Sequence, residues 1–237
     1  FGGESGGGAY HSLYDTYEYY KKFSDGNFVY GTTLSKVNGR LVLRLSEADI
    51  LPFRFVNMVD NIGQFIKDNK KLYQVVQQST EQRNRLLDNE DFTISRNPKK
   101  TYLPPERLPQ VPGFDFKPLD DALARLTSNA WKYEDALFNF KKGSLSAEKK
   151  SEINALLKGV DQAFINIEGL PRRDWFKNMM YAPGYYTGYG VKTLPGIREG
   201  LEERQWDEVR KYIKEVSKAL DRASVNINSA SRILDEN

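Results

Sequence analysis

Residues 206–234 read WDEVRKYIKEVSKALDRASVNINSASRIL, and within them Trp206, Val209, Ile213, Val216, Leu220, Ala223, Ile227, Ala230 and Leu234 follow one another at alternating steps of three and four. That rhythm averages 3.5 residues, the repeat of a helix whose apolar seam stays turned toward a neighbour crossing at about +20°. A single helix from about 198 to 236 is predicted, roughly 58 Å long at 1.5 Å per residue. A seam of this kind needs cover from other helices.

The chain supplies that cover. Leu119, Leu123, Leu126, Ala130, Tyr133, Leu137 and Phe140 repeat the spacing, as do Ile153, Leu157, Val160, Phe164 and Ile167. Pro118 suits the first turn of the former, with Asp120 and Asp121 near its positive end, and Ser146 with Glu148 starts the latter. Lys141-Lys142-Gly143-Ser144 reads as a short antiparallel connection between them. A fourth pattern runs through Val59, Ile62, Ile66, Tyr73 and Val76, but Thr80 and Arg83 fall on its seam, so a fray or bend is expected near 77–80. Four seams that satisfy one another predict an all-α fold, a four-helix bundle over 56–237.

Two connections are too long to be simple turns. One, 92–117, contains Pro98, Pro104, Pro105, Pro109 and Pro112 and should be extended, ordered only where it lies on other surface. The other, 169–197, contains Tyr181-Ala182-Pro183-Gly184-Tyr185-Tyr186-Thr187-Gly188-Tyr189-Gly190, whose turn-forming glycines and amphipathic tyrosines suit either a packed Ω-loop or a pocket wall. No strand ladder is predicted. At the N-terminus two short helices, 12–23 and 28–48, flank Ser24-Asp25-Gly26-Asn27 and carry apolar faces with no evident partner. They read as the edge of a domain whose body lies upstream, which divides the chain into 1–55 and 56–237.

Composition narrows the chemistry. Lys and Arg total 35 against 32 Asp and Glu, and the basic pairs, Arg172-Arg173 among them, are scattered, so nothing resembles a nucleic-acid footprint. No apolar run approaches the roughly 18 residues needed to span a bilayer, and a soluble chain is expected. The absence of cysteine removes disulfides and thiol chemistry but leaves the compartment open. His11 is the only histidine; since catalytic zinc usually takes three protein ligands, His11 read alone is a structural hydrogen-bonding group. The Gly2–Gly8 stretch before it lacks the Gly-Lys-Ser/Thr ending of a phosphate loop and reads as a flexible connection. With no initiator methionine, the chain is expected to be part of a longer polypeptide.

Tyr10-His11-Ser12-Leu13-Tyr14-Asp15-Thr16-Tyr17-Glu18, with Leu51-Pro52-Phe53 downstream, resembles the C-terminal end of the protease domain in the glutamate carboxypeptidase family of di-zinc exopeptidases. Gly169-Leu170-Pro171, Tyr181-Ala182-Pro183 and Leu194-Pro195-Gly196-Ile197 resemble landmarks of that family's last domain, the transferrin-receptor-like dimerisation domain. The resemblance implies that His11 is a terminal zinc ligand, the other ligands and the general base lying upstream, so that two zinc ions belong to the parent and this chain alone is catalytically inactive. It implies that Tyr10 sits beside the catalytic centre, either as a hydrogen-bond donor to substrate or as a phenol packed on the following helix. Gly188-Tyr189 occupies the place where glutamate-selective members carry a Lys-Tyr pair that grips the substrate's terminal carboxylate, so the tyrosine is kept and the cation is not. Lys192, four residues later, reads as a surface lysine. The same resemblance implies homodimerisation through the bundle, a peptide substrate, attachment to the upstream peptidase domain and an extracytoplasmic location. Transferrin receptor shares the bundle without the metal chemistry, so a non-enzymatic receptor-like or scaffold module is the alternative.

Overall fold

Helices form where the seams lie. A computed structural model describes residues 9–140 and 145–236; the Gly2–Gly8 stretch and the Lys141–Ser144 connection fall outside the described residues. The chain divides into two units, Phe1–Pro52 and Phe53–Asn237.

The first unit carries helices α1 (Tyr17–Phe23) and α2 (Val29–Ser46). The first begins later than its apolar pattern because residues 9–16 fold into turns, with Ser12 N–H on the Ala9 carbonyl at 3.0 Å and Asp15 N–H on that of Ser12 at 3.1 Å. Thr16 then caps α1 by accepting from the Tyr19 N–H at 3.2 Å. Neither helix buries a residue. Asp25 is the exception in the turn between them, 5% exposed. Its carboxylate accepts from the N–H groups of Val29 and Tyr30 at 2.8 Å and of Gly31 at 3.0 Å, capping α2. Burial opposes charge on this carboxyl, but the three backbone donors and the Tyr20 hydroxyl outweigh it and hold Asp25 below the ordinary carboxylate range. A lowered folded pKa means the cap is fully formed above the unfolded value and is lost as pH falls through the folded one. Amide exchange should therefore show Val29, Tyr30 and Gly31 protected at about pH 5 and unprotected at about pH 2; protection that persists across this range would exclude the carboxylate as the cap.

The second unit carries α3 (Val56–Asp88), α4 (Asp91–Ile94), α5 (Lys117–Asn139), α6 (Ala147–Gln162), the strands β1 (Tyr181–Pro183) and β2 (Val191–Thr193), α7 (Pro195–Glu202) and α8 (Trp206–Asp235). The described residues are predominantly helical, as predicted. Every member of the quoted seam is buried except the half-buried Trp206. Ser217, Ser224 and Ser231 recur every seven residues beside it and are also buried. On α5, Ala122, Ala130 and Ala136 are buried as well. Asn129 crosses between the two helices, donating to the Ser224 hydroxyl at 2.9 Å. Contacts pair Phe114 with Trp206, Arg125 with Asp221 and Asn129 with Ser224, so α5 and α8 run in the same direction. Arg54–Glu134 and Lys70–Asp120 set α3 antiparallel to α5. Arg222 donating to the Ala163 carbonyl and Lys211 paired with Glu168 set the α6 side antiparallel to α8.

The predicted helix from 198 to 236 is two helices, because Arg204 adopts φ 58° and turns the chain between them. That turn lets the Arg204 guanidinium donate to the Thr80 hydroxyl at 2.6 Å and lie over the Trp206 ring. Thr80 in turn donates to the Val76 carbonyl, and α3 runs unbroken through 77–80 instead of fraying there. Ile167 lies beyond α6 and is 84% exposed, although Phe164 before it is buried.

The proline-rich connection is held against α3 by polar side chains along that helix. Arg83 donates twice to the Glu106 carbonyl, Asn84 exchanges hydrogen bonds with both backbone groups of Leu108, and Tyr73 donates to the Pro112 carbonyl. Backbone groups freed by the prolines are thus satisfied by side chains.

Candidate functional site

Tyr10 and His11 share one tight turn in the first unit, their rings edge-on at 4.1 Å. Ser12 fixes this turn, its hydroxyl donating to the Ala9 carbonyl at 2.7 Å and accepting from the Tyr14 N–H at 3.2 Å. His11 has φ 61°, a left-handed conformation that histidine tolerates better than most residues and that recurs at functional sites. Both side chains are exposed, Tyr10 by 73%. Among the described residues no three of His, Cys, Asp and Glu are grouped to hold a metal ion. A single imidazole does not fit a zinc ion by itself.

Gly188 and Tyr189 lie in the second unit, at the tip of the hairpin formed by β1 and β2. The strands pair antiparallel with Tyr181 opposite Thr193, and Gly184 N–H closes the loop on the Gly190 carbonyl at 2.8 Å. Three-residue strands are too short to show a period, so the sequence does not reveal them. Gly188 has φ 58° with open space where a side chain would stand, while Tyr186 and Tyr189 are 78% and 89% exposed.

The base of this hairpin contains a group that sequence reading did not anticipate. Arg173 and Glu199 are buried together, NH2 to Oε2 at 2.7 Å, and the other carboxylate oxygen of Glu199 accepts from the Tyr185 N–H at 2.8 Å. Arg173 also lies over the rings of Tyr185 and Phe176, at 5.8 and 6.0 Å, and Arg172 over the Tyr185 ring at 5.3 Å. Only the scattered Arg172-Arg173 pair hinted at it in the sequence.

The cations nearest the loop are already engaged. Arg172 contacts Glu208 at 2.7 Å and Glu203 at 3.4 Å; burial works against its charge, but those carboxylates, with Glu199, outweigh it and raise its pKa. Lys192 bonds both oxygens of Glu202 at 2.9 Å, so it is an ion-paired surface group. The loop from Gly184 to Gly190 carries no charge of its own.

Residues 114–228 match the family model of the transferrin receptor-like dimerisation domain. Over this span, just under half of the chain, the protein is similar to the transferrin receptor-like dimerisation domain. Its span covers α5 to most of α8 and includes both the buried Arg173–Glu199 pair and the hairpin. The match to known proteins extends beyond this domain toward the N-terminus. The chain is similar to a probable glutamate carboxypeptidase of Arabidopsis thaliana, 26% identical over 91% of the chain and 27% of that protein. It is also similar to an aminopeptidase of Rattus norvegicus, 20% identical over 92% of the chain and 26% of that protein. An inactive zinc metalloprotease of Schizosaccharomyces pombe is 20% identical over 92% of the chain and 24% of its own length. The chain thus spans about a quarter of the length of the curated relatives it matches. The resemblance to the C-terminal part of glutamate carboxypeptidase-like peptidases holds across both units, including the dimerisation domain.

Proposed function

We propose that this chain is the C-terminal part of a zinc-dependent exopeptidase in which the dimerisation domain joins two copies and its tyrosine loop forms part of the substrate pocket. In this reading residues 1–55 are the edge of the peptidase domain, 56–237 the dimerisation domain, and the setting is extracytoplasmic. His11 is a terminal zinc ligand, Tyr10 lies beside the reacting centre, and Gly188-Tyr189 faces the side chain of the substrate's last residue. The observation that carries it is the similarity to a probable glutamate carboxypeptidase along 91% of the chain. The left-handed, exposed His11 supports the ligand role, because a strained turn that presents an imidazole outward has no packing purpose. Trp131 and Phe138, seven residues apart on α5 and 54% and 87% exposed, leave aromatic surface of the kind an assembly covers.

A second reading, a receptor-like or scaffold module, is supported by the relative named an inactive zinc metalloprotease. Retention of His11 in its Tyr-His-Ser setting favours the first. The chain alone, supplied with zinc, should hydrolyse no dipeptide above the buffer rate, since one imidazole leaves the ligand set incomplete. Robust turnover by the isolated chain would show that the chemistry is complete within these residues and overturn the assignment.

A further inference from the structure

We infer that the buried Arg173–Glu199 pair is a positioning device for the tyrosine loop, holding Tyr185 so that the residues after it are presented in one arrangement. The consequence for substrate rests on reading that loop as a pocket wall; the holding itself does not.

Three observations converge on Tyr185. Its N–H is held by Glu199 Oε1, its ring lies within cation–π reach of Arg172 and Arg173, and it packs edge-on against Tyr186 at 4.7 Å. Glu199 therefore uses one oxygen for the loop and the other for Arg173, whose side chain is only 3% exposed. Arg173 Nε and NH1 are buried without a hydrogen-bond partner. A core built for stability alone would not bury a guanidinium with two donors unmet, because an apolar residue of similar volume serves as well or better. The pair instead ties together three segments that sequence keeps apart: the turn at 170–176, the start of the loop and α7. Beyond Tyr186 the loop is held by hydrogen bonds of its own, Gly188 N–H on the Gly184 carbonyl at 3.2 Å and Gly184 N–H on that of Gly190 at 2.8 Å, while the Tyr189 side chain stands open. The pair fixes the base of the loop and leaves its tip to meet a ligand.

The test uses the full-length protein with Glu199→Gln, which keeps an acceptor but removes the charge, and with the double variant Arg173→Met, Glu199→Leu, which removes both charges together, so that neither is left unpaired, and takes the acceptor from the Tyr185 N–H. In the double variant, exchange at the Tyr185 amide and through Thr187–Gly190 should rise more than about tenfold while amides of α8 keep their protection. Where the protein hydrolyses a peptide, KM should rise with kcat little changed, and Glu199→Gln should fall between wild type and the double variant. Unchanged exchange in the loop of a folded double variant overturns the inference. Collapse of the whole domain in both variants also overturns it, since the pair would then hold the core. A loosened loop with unaltered KM would support the positioning and remove the pocket-wall reading.

Discussion

Replacing His11 with alanine in the full-length protein should abolish peptidase activity, lowering kcat/KM by about a thousandfold or more, because changing even an outer partner of a metal ligand costs about 10–100-fold. Zinc content should fall by about one ion per chain, as expected when a site loses one of its few ligands. Stability should barely change. The residue is exposed on a turn held by Ser12 and the Ala9 carbonyl, neither of which needs the imidazole, and the left-handed position already carries a Cβ that alanine keeps. The combination separates a ligand from a structural histidine: the latter would lower the melting temperature and spare the metal. Full activity with full zinc occupancy in His11→Ala would refute the ligand assignment.

Gly169→Ala should cost the second unit much of its stability. Gly169 has φ 77°, a conformation that costs an L-residue roughly 1–2 kcal/mol. An added Cβ would also stand 2.2 Å from the Asp174 carbonyl oxygen and 2.4 Å from its Cα, both backbone atoms that cannot swing aside. Overpacking of this kind costs about 1–3 kcal/mol, so a total of about 2–5 kcal/mol is expected. The damage would spread, because the Gly169 carbonyl accepts from Asn166 and from the buried Tyr212 hydroxyl at 2.9 Å, tying this turn to α8. Thermal unfolding followed by circular dichroism checks it; a melting temperature within a degree of wild type would show that the turn relaxes freely.

The long helices were legible because each is decided by its own repeated apolar spacing. Val209 to Leu234 needed no knowledge of the partner helix to be placed on one face. What stayed hidden was decided across the sequence. The turn at Arg204 brings its guanidinium onto Thr80, more than a hundred residues earlier, at a point where α3 runs on unbroken. Arg83 looks like a fault in a seam until the proline-rich segment is laid on it. At the candidate site, the resemblance picked out His11 and the tyrosine loop, but the left-handed turn at His11 and the Arg173–Glu199 pair are matters of geometry. Neither has a periodic or compositional signature, because each rests on a few atoms brought together by the fold.

The account stands on the second unit being an assembly module, and the mass of the particle in solution tests that most directly. Light scattering on the chain at tens of micromolar should give twice its 27.2 kDa, with dissociation on dilution governed by mass action. A single 27.2 kDa species throughout that range would contradict it.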